Sequence, residues 1–506
     1  MRKLLNKIIN RKVITMLLIA LQMAWGVSLV YNTTIIFPIL NTAFYSIGLC
    51  VIIYIVSRDT NPSYKIAWIV PIAVFPLFGV LIYLLYSGKR PGKYLRKRFK
   101  KAEKLVTQNL KQDEGVLEAM PPRDATRARY LKDTGYPVCN STEAKYFASG
   151  EEMFPAIINE ISKAEHFIFL EYFIIEEGHM WNTILDILKE KAAAGVDVRV
   201  IYDDVGCVGK LPTGYNLKLE SMGIKCTAFN PFVPFISVVM NNRDHRKILV
   251  VDGHTGFTGG INLADEYMNL KSPFGYWKDT AVMLHGKATW NLTYMFLQMW
   301  NVLRGTKEDF DIYRPERYHV ERFEGKGFVQ PFSDNPLDDE TVSQSVYVDI
   351  ISQAEKYVYI CTPYLVPDDE MKNTLIRAAK RGVDVRIITP GIPDKKAIYR
   401  LTRSYYPILL EAGVKIYEYT PGFVHAKSIV CDDRITVVGT INMDFRSLFL
   451  HFECGVLMTG TGVAHKVRDD NLAMIKECRK VEKGFPKRTI IGRIFDSLLR
   501  SFGPML

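Results

Sequence analysis

Three long runs of apolar positions dominate the first hundred residues. Residues 13–31, 35–56 and 66–86 are uncharged stretches of 19, 22 and 21 residues. A helix rises about 1.5 Å per residue, so each run can cross a hydrocarbon layer of roughly 30 Å. The pattern predicts N-terminal transmembrane helices. A cleaved signal peptide is the alternative for the first run, but that run is long for one and lacks an obvious small-residue cleavage site.

After residue 150 the pattern changes to short apolar strands that alternate with helical segments. An Ala-Glu pair precedes the apolar run 166–173, and the sequence Gly-Val-Asp-Val-Arg begins a further strand at Gly195. The same order recurs around residues 354–361 and from Gly382. This recurrence indicates an internal duplication, and the alternation indicates an α/β fold with mixed sheets. Two such halves, facing each other, would bring corresponding segments together in one cleft.

The last stretch, residues 489–502, places apolar residues on one helical face and Arg493 and Arg500 on the other. Packing of this amphipathic helix on the domain is the favoured interpretation, and lying on a membrane surface is the alternative. The predicted organisation is a membrane segment at 1–104, a linker at 105–150, a first domain at 151–325, a second domain at 326–480 and a C-terminal amphipathic helix at 481–506.

Charge is distributed unevenly along the chain. The total is +11, but residues 1–104 hold 16 Lys and Arg against two acidic residues, a net charge of +14. The remaining residues therefore carry −3, which argues against a nucleic-acid enzyme. An anionic membrane surface is the partner that such an N-terminal portion predicts.

The orientation of the membrane segment is not decided by this charge. The basic N-terminus and the cluster from Lys89 to Lys104 both favour the cytoplasm, and three full crossings cannot satisfy both. One run could be re-entrant or interfacial, and the third, which contains Pro71 and Pro76, is the candidate. Alternatively, the N-terminus lies outside the cell. We favour a cytoplasmic location for the portion after residue 104, because the basic cluster next to it is the larger of the two.

One motif occurs twice with identical spacing. His245-x-Lys247 is followed by Asp252 and by Gly259-Gly260-Ile261-Asn262. A second copy lies 180 residues later at every position: His425, Lys427, Asp432, Gly439-Thr440-Ile441 and Asn442. In each copy His and Lys are two residues apart at the start of an apolar, β-branched run, so on a strand both side chains leave the same face.

These residue types suit phosphodiester chemistry without a metal. Imidazole can act as nucleophile, base or acid near neutrality, while Lys and Asn donate hydrogen bonds to phosphoryl oxygens. The eight cysteines show no spacing typical of zinc ligands and fit a reducing compartment. We therefore expect neither a metal nor another cofactor.

The paired motifs resemble the two HKD motifs of the phospholipase D superfamily. The hydrophobic N-terminus and the segments Tyr276–Asp279, Thr362–Pro367, Phe445–Ser447 and Phe452-Glu453 narrow the resemblance to bacterial cardiolipin synthases. It covers nearly the whole chain. It implies a multi-pass protein of the bacterial cell membrane, with two phospholipase D-like halves that form one cleft.

The resemblance also implies roles for individual residues. The first-motif histidine, His245, is expected to be the nucleophile and His425 the general acid and base. Asp279 and Glu453 stand where the family has an acidic residue that supports a histidine. Asp252 and Asp432 belong to the motif set, and we expect them to hold the turn beneath the site.

Two positions depart from the family pattern. Asp244 and His451 stand where the family often has Asn, and either could shift donor specificity or optimum pH. The other histidines outside the motifs lack a partnered setting in the sequence, and for His451 too an ordinary surface or core role is expected.

The predicted activity is transfer of a phosphatidyl group from one phosphatidylglycerol to another, giving cardiolipin and glycerol through a phosphohistidine intermediate. The expected partners are anionic phospholipids and the membrane, with no nucleic acid, and the oligomeric state is left open. The alternatives are a phospholipase D or phosphatidylserine synthase-type transferase with another acceptor, and a catalytically silent membrane scaffold. Two intact motifs argue against the scaffold.

Overall fold

The computed structural model describes residues 36–86, 97–99, 110–231, 242–319, 323–338, 340–486 and 488–505. The chain divides into two compact units. One comprises residues 1–93, 232–242 and 490–506, and the other comprises 94–231 and 243–489. We call them the N-terminal unit and the two-sheet unit.

The two-sheet unit contains all the strands and most of the helices of the described residues. Its strands are β1 (Thr142–Phe147), β2 (Phe167–Tyr172), β3 (Asp197–Asp203), β4 (Lys225–Phe229), β5 (Lys247–Val251), β6 (Thr255–Gly259), β7 (Tyr276–Lys278), β8 (Ala281–Gly286), β9 (Phe328–Asp334), β10 (Tyr357–Cys361), β11 (Leu365–Val366), β12 (Asp384–Pro390), β13 (Lys415–Tyr419), β14 (Gly422–Val424), β15 (Ser428–Cys431), β16 (Ile435–Gly439), β17 (Met443–Asp444), β18 (Glu453–Thr459) and β19 (Cys478–Lys480).

The helices of the described residues are numbered in chain order. In the N-terminal unit they are α1 (Ile36–Ser57), α2 (Pro62–Val74), α3 (Pro76–Tyr86) and the C-terminal α15 (Ile490–Ser501). In the two-sheet unit they are α4 (Pro122–Asp133), α5 (Gly150–Lys163), α6 (His179–Ala193), α7 (Tyr215–Glu220), α8 (Thr289–Arg304), α9 (Val342–Gln353), α10 (Asp369–Lys380), α11 (Lys396–Ser404), α12 (Tyr406–Glu411), α13 (Phe445–Phe449) and α14 (Val463–Lys476).

The two large sheets have the same internal order, which confirms the mixed α/β fold and the duplication. The first sheet runs β1-β8-β6-β5-β2-β3-β4, and the second runs β9-β18-β16-β15-β10-β12-β13-β19. In each sheet, some neighbouring strands are parallel and are connected by helical crossovers. The antiparallel strands begin at the motif strand, which is β5 in the first sheet and β15 in the second. Only the second sheet carries an additional edge strand, β19.

Local sequence explains why these helices begin where they do. Ser149 caps α5 by accepting from the N–H of Glu152, and the Glu152 carboxylate in turn accepts from the N–H of Ala148 at 3.0 Å. This is a capping-box pattern, followed by a buried apolar face that includes Ile157 and Ile161. Such faces pack on the outer sides of the sheets, while a separate apolar core contains residues of both sheets, including Val250, Val430 and Val456.

Two small parallel pairings connect distant segments of the unit. β14 of the second half pairs with β7 of the first half, Phe423 opposite Trp277. β11 pairs with β17 inside the second half. The β14–β7 pair therefore joins the two halves through backbone hydrogen bonds next to His425.

The predicted linker at 105–150 is wrong in its second part. Residues 142–147 form β1, which pairs along its whole length with β8 at the edge of the first sheet. The helix α4 also lies in this range. The first half therefore begins before residue 151, because the edge of its sheet needs a strand that the loop-rich composition concealed.

The N-terminal unit corrects the predicted membrane segment. The run 13–31 lies outside the described residues, and the run 35–56 forms most of α1. The run 66–86 is not one helix, since α2 ends before Phe75 and α3 begins at Pro76, which cannot continue the helical hydrogen bonding. α2 and α3 pack closely: a Cβ on Gly79 would lie 2.5 Å from the Cα of Ile72. Within the described ranges, no helix has both the length and the apolar character needed to cross a membrane.

The amphipathic pattern near the C-terminus forms a helix, α15, which contacts α2 in the N-terminal unit. Much of its apolar stripe is exposed, with Ile491 80% and Ile494 58% accessible.

Candidate active site

The two motif histidines lie together, each at the start of a motif strand. Backbone bonds set their positions: the N–H of His245 donates to the carbonyl of Phe452 at 2.9 Å, and that of His425 donates to the carbonyl of Lys278 at 2.7 Å. Both donors reach into the other half of the two-sheet unit. Each histidine is therefore placed by a segment that follows the opposite motif.

The supporting carboxylates are also exchanged between the halves. Nδ1 of His245 lies 2.9 Å from Oε2 of Glu453, and Nδ1 of His425 lies 2.6 Å from Oδ2 of Asp279. Both carboxylates are fully buried. A carboxylate at Nδ1 holds the proton there and leaves Nε2 with its lone pair, the tautomer required for attack or for proton acceptance.

The two motifs accommodate these carboxylates differently. A Cβ at Gly260 would lie 2.0 Å from Oδ1 of Asp279, so only glycine fits there. The corresponding Thr440 instead donates its hydroxyl proton to Oε2 of Glu453. The same motif position therefore provides space in one copy and a hydrogen bond in the other.

Burial and positive charge control the ionisation of the site. Burial lowers the pKa of His245 and of His425 well below the usual histidine value, and Lys247, Lys427 and Lys395 lower both further. Burial also lowers the pKa of Lys247 to about 8 and that of Lys427 to about 7. The pKa of Asp279 is raised to about 6 by burial, against the opposing charge of Lys427. Without substrate, the imidazoles are therefore neutral at pH 7 while Lys247 retains its charge.

The motif lysines and asparagines have definite partners. Nζ of Lys247 donates to the carbonyl of His245 at 2.6 Å, and Lys427 makes the same bond to His425. The side-chain oxygen of Asn262 accepts from the N–H of Ile174 at 3.0 Å, and its amide donates to the hydroxyl of Tyr267 at 2.6 Å. The buried side-chain oxygen of Asn442 has no hydrogen-bond partner among the residues that the structure describes.

The motif aspartates lie at the other end of their strands. Asp252 follows β5, about 16 Å along the strand from Lys247. Its carboxylate accepts from the N–H groups of residues 165, 166 and 167 at 2.8–2.9 Å, and Asp432 accepts likewise from residues 355, 356 and 357. Both aspartates have a positive φ. Both carboxylates therefore hold a turn, before β2 in the first half and before β10 in the second.

Two further residues at the site were not identified as functional from sequence. The His451 ring centroid lies 5.8 Å from that of His245, and its Nδ1 lies 3.6 Å from Oε1 of Glu453, so this histidine borders the site. Lys395 lies on a loop, 5.2 Å from the ring of Tyr364, and its charge acts on both motif histidines. The departure of residue 451 from the family pattern was the available signal for His451; Lys395 had none.

One group at the site has the composition of a metal site. Among the described residues, His245, His451 and Glu453 each place a ligand atom within 4.8 Å of the other two. The rest of the site, with two lysines and two carboxylate-supported imidazoles, can bind a phosphodiester and provide both a nucleophile and a proton carrier.

Comparison with known proteins agrees with this chemistry. The family model described as "Cardiolipin synthase, PLD-like domain" matches residues 157–300 and 347–474, and the "Phospholipase_D-nuclease N-terminal" model matches residues 44–87. A cardiolipin synthase of Geobacillus sp. (strain WCH70) is 36% identical over 465 residues, covering 90% of this chain and 91% of that protein. An uncharacterised protein of Streptococcus mutans serotype c is 44% identical over 463 residues, covering 90% and 99%.

A solved structure shares the fold. The crystal structure of phosphatidylserine synthase from Haemophilus influenzae Rd KW20 superposes with a TM-score of 0.57 at 16% identity, covering 76% of this chain and 98% of that one. At this identity the likeness concerns the fold alone.

Proposed function

The chain belongs to the cardiolipin synthase, PLD-like domain family and is a phosphatidyltransferase, and from this premise we propose that it makes cardiolipin from two molecules of phosphatidylglycerol. The observation that carries the proposal is the crossed pair of carboxylate-supported imidazoles. Two groups with a free Nε2 at one site suit a double displacement, in which one imidazole forms a covalent intermediate and the other carries protons.

In the first step, Nε2 of His245 attacks the phosphorus of phosphatidylglycerol. A P–N bond forms as the P–O bond to the glycerol headgroup breaks, and His425 donates a proton to the departing oxygen. His425 must be protonated for this step, although its pKa is low in the free protein. The negative phosphodiester, placed near Lys247 and Lys427, offsets their positive charge and raises the pKa of His425.

In the second step, His425 removes the proton from a hydroxyl of the second phosphatidylglycerol. The resulting oxygen attacks phosphorus, the P–N bond breaks, and His245 returns to its starting form. Lys247 and Lys427, with Asn262 and Asn442, stabilise the phosphoryl oxygens in both transition states. His245 is assigned as the nucleophile because the first-motif histidine has that role in the superfamily that this chain resembles.

The test is a product assay with the purified protein and phosphatidylglycerol as the sole lipid. We expect cardiolipin and free glycerol in equal amounts, with loss of both products in His425→Ala and in His245→Ala. His465→Ala is the matched control, because that side chain is 54% exposed, and it should retain the wild-type rate.

The other outcomes identify the competing functions. Phosphatidic acid as the main product would mean that water is the acceptor and that the protein is a phospholipase D. Turnover only when another alcohol such as serine is supplied with a suitable phosphatidyl donor would identify a phosphatidylserine synthase-type transferase.

We also propose that the protein works at the bacterial membrane through its N-terminal unit, with the two-sheet unit in the cytoplasm. Exposed apolar side chains support this, including Ile39 at 63% and Leu84 at 64%, and the basic residues before position 104 would face anionic lipid. Alkaline carbonate extraction of cell membranes tests the association. Release of the protein into the soluble fraction would contradict it.

A further inference from the structure

His451 and the catalytic pair His245–Glu453 form a compact donor set that the proposed reaction does not fully use. The reaction needs the bond from Nδ1 of His245 to Oε2 of Glu453. It does not need His451, both of whose ring nitrogens are buried and have no hydrogen-bond partner within the described residues. The other carboxylate oxygen, Oε1 of Glu453, is buried and likewise has no hydrogen-bond partner there.

Buried donor atoms without hydrogen bonds are costly, so a ligand that satisfies them should bind well. Here the atoms without a hydrogen bond are the ring nitrogens of His451 and Oε1 of Glu453, and Nδ1 of His245, which is bonded to Oε2, lies beside them. This combination is typical of zinc sites, and of sites for similar transition-metal ions. Hard cations such as Mg²⁺ prefer sites made of oxygen ligands.

The distances are compatible with one metal ion. Nδ1 of His245 lies 2.9 Å from Oε2 of Glu453, and Nδ1 of His451 lies 3.6 Å from Oε1. Ligand atoms about 2.0–2.1 Å from a tetrahedral zinc ion lie about 3.3 Å from one another, between these two values. The two distances end on different oxygens of Glu453, but one ligand atom of each residue lies within 4.8 Å of the other two, so side-chain rotations can bring three donors to a common ion.

We propose that His245, His451 and Glu453 bind Zn²⁺ or a similar transition-metal ion, and that this ion inhibits the enzyme. The inhibition follows from the tautomer of His245. When the ion bonds to Nδ1, the proton formerly held there moves to Nε2. The Nε2 lone pair is then no longer available to attack phosphorus, so the covalent intermediate cannot form.

This inference rests on the proposed role of His245 as nucleophile, but zinc binding can be measured without turnover. Metal-free protein is titrated with ZnCl₂ by isothermal titration calorimetry. His451→Asn, which introduces the residue that the family often has, should weaken zinc binding at least tenfold. His451→Gln serves as a second variant in case the first unfolds, and thermal unfolding midpoints identify any variant that has lost its fold.

Two control variants locate the ion. His465→Asn changes an exposed histidine and should bind zinc like the wild type. His285→Asn changes a member of a separate histidine cluster, in which His285 lies 5.2 Å from His254 and 5.8 Å from His319 between ring centroids. Loss of zinc binding in His285→Asn with retention in His451→Asn would overturn the proposal.

A second experiment measures how zinc inhibits the transferase activity of each variant, relative to that variant's own zinc-free rate. We expect the zinc concentration for half-inhibition to rise at least tenfold in His451→Asn and to stay unchanged in His465→Asn. With a ³²P-labelled lipid, zinc should reduce the amount of labelled enzyme trapped by acid quenching. Equal zinc sensitivity of wild type and His451→Asn would overturn the proposal. If phosphatidylglycerol is not the substrate, the calorimetric result remains interpretable.

Discussion

The residues packed around the two motif histidines differ in kind between the two halves. In the first half, a cluster of five buried charged residues surrounds the chain that leads to His245; its members are Glu171, Asp203, Arg243, Asp244 and Arg246. In the second half, the positions matched by motif spacing and sheet register are all apolar or weakly polar: Cys361, Pro390, Phe423, Val424 and Ala426.

Individual contacts in the charged cluster show how it works. Arg246 is ion-paired with Glu171 and, at 3.1 Å, with Asp244. Asp203 lies 3.2 Å from Arg243 and accepts from the N–H of Asp244 at 3.0 Å. Burial raises the pKa of Asp203 to about 6. Ion pairs thus hold the segment before His245. Within the described residues, a single β-bridge, from Asp244 to Phe452, pairs this segment with the second half.

The second half uses backbone pairing instead. The segment before His425 is β14, which pairs with β7 over three residues. Its Val424 packs in a small apolar core with Met474, and its Phe423 packs in the larger core that contains Trp277. Equivalent catalytic groups are therefore held by ion pairs on one side and by strand pairing with apolar contacts on the other. The His, Lys, Asp and Asn of the motif, by contrast, are identical in the two copies.

The largest expected effect comes from removing the carboxylate that supports each histidine from the opposite half. Glu453→Gln should behave as a defect of His245, and Asp279→Asn as a defect of His425, each lowering the turnover rate by about 10²–10⁴-fold because the histidine tautomer is no longer fixed. Single-turnover trapping with labelled lipid separates them. Glu453→Gln should prevent covalent labelling, whereas Asp279→Asn should slow both the labelling, in which His425 donates a proton, and the transfer of label to the acceptor. Labelling that is normal in Glu453→Gln would contradict the crossed assignment.

The next effect tests the charged cluster directly. Arg246→Ala leaves Glu171 and Asp244 buried without their partner, and we expect a loss of about 3–5 kcal/mol in the free energy of unfolding. A triple variant that introduces the corresponding second-half residues should recover most of the lost free energy of unfolding, because no buried charge remains unpaired. Its substitutions are Glu171→Cys, Asp244→Val and Arg246→Ala. Denaturant unfolding followed by tryptophan fluorescence measures both.

A surface pair provides the control for that experiment. Lys189 lies 2.8 Å from Asp186, and both side chains are well exposed, so Lys189→Ala should change stability by less than about 1 kcal/mol. A triple variant no more stable than Arg246→Ala would mean that the charged cluster has a role that apolar packing cannot replace.

A moderate effect distinguishes the two lysines. With a pKa of about 7, Lys427 loses its positive charge as the pH rises through 7, and Lys247 follows at about 8. The ammonium forms are present below these values, so kcat/KM should decline on the alkaline side beginning near pH 7. Lys427→Arg should move this decline towards pH 8 because arginine stays protonated. An unchanged alkaline limb in Lys427→Arg would show that another group controls it.

The smallest effect concerns the two asparagines. Tyr267 accepts from the amide of Asn262, whereas the position five residues after Asn442 is Ser447. Tyr267→Phe removes one hydrogen bond of about 1 kcal/mol, so we expect a rate loss of fivefold to tenfold. Ser447→Ala is the matched variant and should have less effect on the rate. A larger rate loss in Ser447→Ala than in Tyr267→Phe would contradict the expectation that Asn262 depends more on its neighbouring hydroxyl than Asn442 does.

Much of the fold could be predicted because it follows from local pattern. The duplication, the strands that begin with Gly-Val-Asp-Val-Arg and the C-terminal helix all depend on periodicity and repeated spacing. The strand β1 and the break between α2 and α3 were missed. β1 is stabilised by pairing with β8, more than 130 residues away, and an apolar run does not reveal whether Pro76 kinks or divides a helix.

By itself, the sequence determined that His245, Lys247 and Asn262 recur as His425, Lys427 and Asn442 at a fixed spacing. It also indicated that Asp279 and Glu453 support histidines. Only the tertiary structure decided that each carboxylate serves the opposite half, that His451 adjoins His245, and that Asp252 and Asp432 hold remote turns. The physical reason is that spacing along a strand sets which face a side chain occupies, whereas contacts between halves depend on how two sheets pack.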